Sequence, residues 1–348
     1  MGPELIVLSL GALHWLISLR MFAALRACGR DRESGAALLE KLSIIIPARN
    51  EAHHLPRLLD SLRSQTAAPL EVLVVDDDST DGTAEVAAAH GATVIQSSPL
   101  PAGWRGKSWA CEQGAARARG ELLMFLDADC WFESGGLEAV LARYPGGAFS
   151  VAPYHRVEKP YEELSAFFNL IMIAATVPVN LLGQCLLIRR EDYQLGGGHA
   201  SVKDKILENV CLANKLREAG VRTSSTTGKG TLAFRMYPDG LPSLIAGWTK
   251  GFAAGAAATP RSTLILISTW ISGLILGLFG CLITPWALLI YLAFAVQLAA
   301  MLRRIGNFSS LTALFYPLPL FFYIAVFVRS LGGAGKTVKW KGREVNAG

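Results

Sequence analysis

LLMFLDADCW, residues 122–131, is an apolar run of strand length that stops on two acidic residues one position apart, Asp127 and Asp129. A run without polar alternation reads as a strand covered on both faces. The flanking sequence repeats the pattern. LSIIIPARN (42–50) is a second apolar run, closing on Pro47 and Asn50, and LEVLVVDDDSTDGT (70–83) is a third, entering a turn at Asp76 and Asp77. Helical spacing in HHLPRLLDSLRSQ, TAEVAAAHGA and WACEQGAARARG separates them, with a weaker strand at ATVIQSS and a loop at PLPAGWRGKS. This alternation predicts an α/β domain with a mostly parallel sheet and helices on its faces.

In such sheets ligands bind beyond the carboxyl ends of the strands. Asp127 and Asp129 fall at one such end and Asp76 and Asp77 at another, so two acidic turns face one crevice. Concentrated carboxylates call for a cation, and hard divalent ions such as Mn²⁺ or Mg²⁺ accept carboxylate oxygens while keeping positions open for phosphate. Read singly, each turn is equally an ordinary Asp-, Ser- and Gly-rich chain reversal.

Of the 348 residues, 51% are hydrophobic and the mean hydropathy is +0.35, high for a soluble enzyme. The excess sits at the two ends. From Leu5 to Leu25 the chain has the length of a spanning helix with Arg20 as its one charge, and Arg26, Arg30 and Arg32 follow. No basic stretch precedes that apolar run, which favours a retained anchor over a cleaved signal. Thr263–Leu282, Pro285–Leu302 and Leu311–Val328 form three further apolar segments. The expected organisation is an anchor over 1–28, an α/β domain over 29–261 with an interfacial stretch near 241–257, hydrophobic segments over 262–335 and a basic tail over 336–348. By the positive-inside tendency the α/β domain and the tail are cytoplasmic. Pro317 and Pro319 then mark Leu311–Val328 as re-entrant or interfacial rather than spanning. Six cysteines show no CxxC pair and no zinc spacing, and read as reduced thiols. The net charge of +5 is scattered apart from clusters beside the apolar segments, which suits lipid headgroups and gives no reason to invoke nucleic acid.

Taken in order, SIIIPARNE, VVDDDSTDGT, GKSWACEQGAARARGE and FLDADC resemble the family 2 glycosyltransferases, whose nucleotide-sugar domain has the GT-A fold. The resemblance covers about residues 42–260. The later blocks, from GQCLLIRRED and TLAFRMYPDG to the tail WKGR, resemble the membrane-bound bacterial branch that glucosylates carotenoid acids and related terpenoid lipids. The resemblance implies that Pro47, Ala48, Asn50, Glu51, Asp76 and Asp77 hold the nucleotide. It likewise gives Asp127 and Asp129 the metal and sugar diphosphate, with Asp129 as the direct ligand. A departing diphosphate also favours a nearby cation, and Lys107, in a Gly-containing basic loop, is placed to reach it, though it reads equally as a solvated surface lysine.

The family commonly carries a Glu-Asp pair with the Asp as base, whereas VKDKILENV keeps Glu208 and has Asn209 in the next position. Either Glu208 is itself the base, with Asp204 one helical turn earlier, or the acceptor arrives already ionised, as a carboxylic acid with a pKa of about 4 does. His199, after three glycines, is an acceptor-entrance candidate. Many membrane-bound relatives carry Gln-x-x-Arg-Trp where this chain has Gly247 and Trp248, which leaves Lys250 as a substitute cation and Trp248 as an interfacial residue. The activity implied is inverting transfer of a sugar, glucose first, from a UDP-sugar to a lipid acceptor delivered from the bilayer. A carotenoid or terpenoid acid leads among acceptors, ahead of a polyprenyl phosphate or diacylglycerol. Nucleotidyl transfer, which would release pyrophosphate, and a non-catalytic membrane scaffold are the competing classes.

Overall fold

The computed structural model describes residues 2–22, 33–205, 207–331, 337–340 and 343–346. The strands in chain order are β1 (Leu42–Ala48), β2 (Glu71–Asp76), β3 (Thr93–Gln96), β4 (Leu122–Leu126), β5 (Cys130–Phe132), β6 (Ala148–Ala152), β7 (Tyr154–His155), β8 (Cys185–Arg189), β9 (Thr223–Thr227), β10 (Leu232–Phe234), β11 (Thr337–Trp340) and β12 (Arg343–Asn346). Seven of them form one sheet in the order β3-β2-β1-β4-β8-β6-β9. All neighbours pair in parallel except β8, which runs antiparallel to β4 and β6. The fold is therefore the α/β class read from the sequence, with a mostly parallel sheet.

The residues of β1 and β4 are almost entirely inaccessible, as continuous apolar strands require when helices cover both faces. Leu55–Arg63 and Thr83–Ala89 are among the covering helices, and Gly106–Arg117 approaches most closely. A Cβ at Gly114 would lie 2.4 Å from Cγ2 of Ile45, so only glycine lets that helix settle on β1 and β2. The register sets Ala48 opposite Asp76, bringing the two strand ends level. A small second sheet has the order β5-β10-β7, with β10 antiparallel to β5 and parallel to β7, and residues 235–239 after it share a cavity with the ends of β1, β2 and β4.

Among the described residues three helices are long and apolar enough to cross a bilayer: Pro3–Phe22, Arg261–Gly280 and Ala287–Ile305. They pack together. The Trp15 indole donates to the Ala293 carbonyl at 3.1 Å and Gln297 donates to the Ser18 hydroxyl at 2.8 Å, so the first and third helices run parallel. A Cβ at Gly273 would meet His14 and one at Gly280 would meet Val7, so the middle helix runs antiparallel to the first. The end of the first helix, the start of the second and the end of the third therefore share one end of the bundle. That end adjoins the α/β domain, where Gly306 bridges His155 and Asn307 exchanges hydrogen bonds with Val157. The outer surface stays apolar, with Val296 at 71% and Leu282 at 84% exposure, a surface that water would penalise and lipid would not.

Leu311–Val328 is not a single helix. It divides into Ser310–Leu314 and Pro317–Leu331, the second only 15 residues long. At 1.5 Å per residue this falls short of a hydrocarbon core of about 30 Å. Instead Pro317–Leu331 packs on helices Ala166–Thr176 and Leu241–Ala258. Arg26, Arg30, Arg32, Lys336 and Lys341 lie outside the described residues, as do the side chains of Lys250, Phe252, Lys339 and Arg343.

Candidate active site

The loops after β1 and β2 are sewn together at the carboxyl edge. The Asn50 amide, in a left-handed backbone turn with φ 52°, donates to the Ser79 hydroxyl at 2.9 Å, and the Asn50 side chain accepts from the Thr80 amide at 2.9 Å. The Glu51 amide donates to the Thr83 hydroxyl at 2.8 Å, and the Glu51 carboxylate meets His54 Nδ1 at 2.8 Å. The Asp77 amide donates to the Ala48 carbonyl at 2.8 Å. A cleft of about 530 Å³ opens above these loops. Pro47, Ala48, Glu51, Asp77, Lys107, Asp127 and Asp129 line it. Asn50 and Asp76 do not: Asn50 staples the two loops, and buried Asp76 accepts from the Ser79 amide at 3.3 Å.

Asp127 and Asp129 leave the end of β4, with the Asp127 amide held by the Gln184 carbonyl at 2.9 Å. Lys107 is not in a flexible surface loop. It occupies the first turn of helix Gly106–Arg117, and its Nζ lies 2.5 Å from Asp127 Oδ1, 3.1 Å from the Gly183 carbonyl and 3.7 Å from Glu208 Oε1. Burial works against the lysine charge, but Asp127 and Glu208 more than offset it and hold the ammonium above the ordinary lysine range. Burial, then the charges of Asp127 and Glu51, push the Asp129 carboxyl up to about 6. Among the described residues no three His, Cys, Asp or Glu side chains form a ready-made metal cage. The Asp127–Asp129 pair nevertheless fits a hard dication of the kind that takes one or two carboxylates and completes its sphere with phosphate and water.

A second cavity, of about 690 Å³, abuts the first at Lys107, Asp127, Tyr237 and Gly247. Glu208 and Asn209 stand at its polar end, where the Asn209 amide donates to Glu208 Oε1 at 2.9 Å. Most of the remaining lining is apolar, with Ile171 and Met172 from helix Ala166–Thr176, Ile267 and Ile271 from Arg261–Gly280, and Tyr323 and Phe327 from Pro317–Leu331, interrupted by Thr176, Asn180, Gln184, Thr259 and Ser268.

Residues 43–193 match the family model described as "Glycosyl transferase family 2". The chain is 35% identical over 329 residues to the 4,4'-diaponeurosporenoate glycosyltransferase of Staphylococcus aureus (strain MRSA252), covering 87% of this chain and 88% of that protein. The protein of the same name from strain USA300 is 34% identical over the same shares. The chain belongs to glycosyl transferase family 2. Among solved structures, the mannosyltransferase PcManGT from Pyrobaculum calidifontis, in complex with GDP-Man and Mn²⁺, has the same fold, with a TM-score of 0.56 at 20% identity over 95% of this chain and 98% of that one.

Three further residues of this glycosyltransferase stand elsewhere than expected. Asp204 is not one helical turn before Glu208, because the helix begins at Glu208; Asp204 is exposed, pairs with Lys205, and lines neither cavity. His199 is not at an entrance. It is 1% exposed, packed on Phe125 and hydrogen-bonded through Nδ1 to the Tyr193 hydroxyl at 2.9 Å. Trp248 is not an interfacial anchor but a packed residue, 6% exposed and stacked on Phe168 at 4.8 Å, with its indole donating to the Ser165 hydroxyl at 3.1 Å. One of its edges still reaches the second cavity.

The cleft also holds residues that the sequence reading passed over. Arg49 and His54 belong to the loop after β1, and Arg235 and Tyr237 follow β10. Arg235 donates to the inaccessible Glu162 carboxylate at 2.7 Å, which fixes its guanidinium at the rim. Tyr237 has φ 55°, and its carbonyl accepts from the Tyr161 hydroxyl at 2.8 Å. Burial and the Asp129 charge raise the Tyr237 hydroxyl, keeping it protonated. Both follow the carboxyl end of a strand, the signal that located Asp76 and Asp127, but a three-residue strand is too short to be read from periodicity.

Proposed function

We propose that this glycosyltransferase moves a hexosyl group, glucose first, from a uridine diphosphate sugar to the carboxylate of a long apolar acid, with inversion at the anomeric carbon. The observation that carries this reading is the meeting of a polar cleft and an apolar cavity at Lys107 and Asp127. A sugar nucleotide needs the first and a hydrocarbon tail the second, and only where they touch can the two ends react. The relatives' name, which specifies the acid anion 4,4'-diaponeurosporenoate, supports the same acceptor class.

In this reading Pro47, Ala48, Glu51 and Asp77 hold the nucleotide, and Asn50 and Asp76 keep their loops in place. Asp129, with Asp127, would hold Mn²⁺ or Mg²⁺, which when bound supplies Lewis-acid stabilisation to the diphosphate. Lys107 adds a fixed cation where negative charge develops on the leaving group. The acceptor carboxylate is ionised at neutral pH, so its oxygen attacks without prior proton removal. Asn209 in place of a second carboxylate supports this, since an amide beside Glu208 does not repel an incoming anion. We propose that Pro3–Phe22, Arg261–Gly280 and Ala287–Ile305 span the membrane and that the α/β domain lies on its cytoplasmic face, so the acceptor enters the apolar cavity from the bilayer.

The test is transfer by the purified protein in detergent with UDP-glucose, Mn²⁺ or Mg²⁺, and separately a long polyene acid, a polyprenyl phosphate and diacylglycerol, with mass spectrometry of the lipids. A glucosyl ester formed with the acid and absent in Asp129→Asn is the expected result. A product formed only with the phosphate or the alcohol would overturn the acceptor assignment. Release of pyrophosphate instead of UDP would overturn the reaction class.

A further inference from the structure

The two cavities share Tyr237, and three features fix where its ring stands. Its backbone lies in the left-handed region, uncommon for a bulky side chain, and the Tyr161 hydroxyl holds its carbonyl there. The ring meets Trp248 edge-on with centroids 5.7 Å apart. It also fills the space of a missing side chain: a Cβ on Gly247 would lie 2.1 Å from its Cε1 and 2.5 Å from its Cζ. Gly247 is thus the seat of the ring, and any larger residue there would evict it.

A wet cleft opening directly on an apolar cavity poses a problem for the reaction. An activated anomeric carbon can be attacked by water as well as by the acceptor. In that side reaction the water oxygen bonds to the anomeric carbon, the bond to the diphosphate oxygen breaks, and the proton passes to solvent, leaving free sugar and nucleoside diphosphate. Excluding water from the reacting centre is a general requirement for transfer over hydrolysis.

We propose that the Tyr237 ring, seated on Gly247, is a positioning partition between the donor cleft and the acceptor cavity, and that it sets the ratio of glycosyl transfer to donor hydrolysis. This rests on the reading of the first cavity as the sugar-nucleotide site and the second as the acceptor site. The ring, not the hydroxyl, supplies the partition, because it is the ring that occupies the volume at the junction.

The experiment measures UDP released from UDP-glucose without acceptor, and glucosyl lipid formed with it, for the full-length protein and for Tyr237→Ala, Tyr237→Phe and Gly247→Ala. Tyr237→Ala should raise the hydrolysis-to-transfer ratio about tenfold. Gly247→Ala, which displaces the ring, should shift the ratio in the same direction, and Tyr237→Phe should keep the wild-type ratio. Equal losses of both reactions in Tyr237→Ala, leaving the ratio unchanged, would overturn the proposal and assign Tyr237 a purely structural role. A rise in Tyr237→Phe as large as in Tyr237→Ala would overturn it in favour of the hydroxyl. If Tyr237→Ala does not fold, Tyr237→Leu, which keeps an apolar side chain but removes the ring, decides by the same ratio. The hydrolysis arm contains no lipid, so it reports on the partition even if the acceptor is not an acid; wild-type protein that transfers only to another lipid would sink the acceptor assignment alone.

Discussion

The Lys107 ammonium stands 2.5 Å from Asp127 Oδ1 and 3.7 Å from Glu208 Oε1, so one fixed cation links the end of β4 to the helix that begins at Glu208. It also stands where the two cavities touch. Replacing it with the uncharged Lys107→Met leaves two carboxylates facing a departing diphosphate with less compensation. A fall of about 100-fold in kcat with a smaller change in donor KM is expected, as for loss of a group that acts mainly on developing charge. Lys107→Arg should recover little, since a planar guanidinium does not fit a site built around a point charge. Steady-state kinetics on the three proteins check this, and a change confined to KM would show that Lys107 acts in binding alone.

Metal removal gives a second prediction. Chelation by EDTA should abolish transfer, and Mn²⁺ or Mg²⁺ should restore it in the wild-type protein but not in Asp129→Asn, where an amide replaces the carboxylate expected to bind the ion directly. The Asn variant should also melt at a higher temperature than the wild type in chelator at pH 7.5. The carboxyl is pushed up to about 6 by burial, Asp127 and Glu51, so its ionised form costs stability that is regained as pH falls through 6. Full activity in EDTA would refute the metal assignment.

How the site was legible follows from which interactions are local. β1, β2 and β4 are largely continuous apolar runs, and β2 and β4 are closed by acidic turns, so their carboxyl ends, with Asp77, Asp127 and Asp129, could be placed from sequence alone. The antiparallel entry of β8 between β4 and β6 could not, because nothing in CLLIR states its direction or partner. Asp204 failed because helical spacing was extended one turn too far, and His199 because a glycine-rich loop hides the tertiary contacts that bury it. Trp248 looks interfacial by its position before a spanning segment, yet helix Ala166–Thr176 supplies a ring to stack on it. That contact joins residues 80 positions apart and has no local signature.

Glu208 and Asn209 provide a third prediction, one that separates an ionised acceptor from one needing a base. With a carboxylate acceptor, Glu208→Gln should retain transfer within about tenfold of wild type, because no proton has to be removed. Asn209→Asp places a second carboxylate where an amide now donates to Glu208 at 2.9 Å. It should raise the acceptor KM through like-charge repulsion and add an acidic limb to the pH profile. A loss of about 1000-fold in Glu208→Gln would instead identify Glu208 as a base.

Two histidines make the last prediction. His155 is inaccessible at the junction with Gly306, accepts from Asn169 Nδ2 through Nδ1, and faces Phe234 and Phe308, with Glu162 and Arg235 nearby. Burial lowers its pKa to about 4, and burial with the Lys107 charge lowers that of His199 to about 3. For each, the unfolded chain binds a proton near pH 6.5 and the folded one does not, so stability is complete above 6.5 and is lost as pH falls from 6.5 towards 4. Holding His155 neutral down to pH 4 costs roughly 3 kcal/mol. Acidification from 7.5 to 4.5 should therefore lower the melting temperature in detergent steadily. His155→Gln, which keeps an acceptor without a proton to gain, should flatten that slope even if its melting temperature at pH 7.5 is lower. The same slope in wild type and variant would mean that His155 does not contribute to the acid sensitivity.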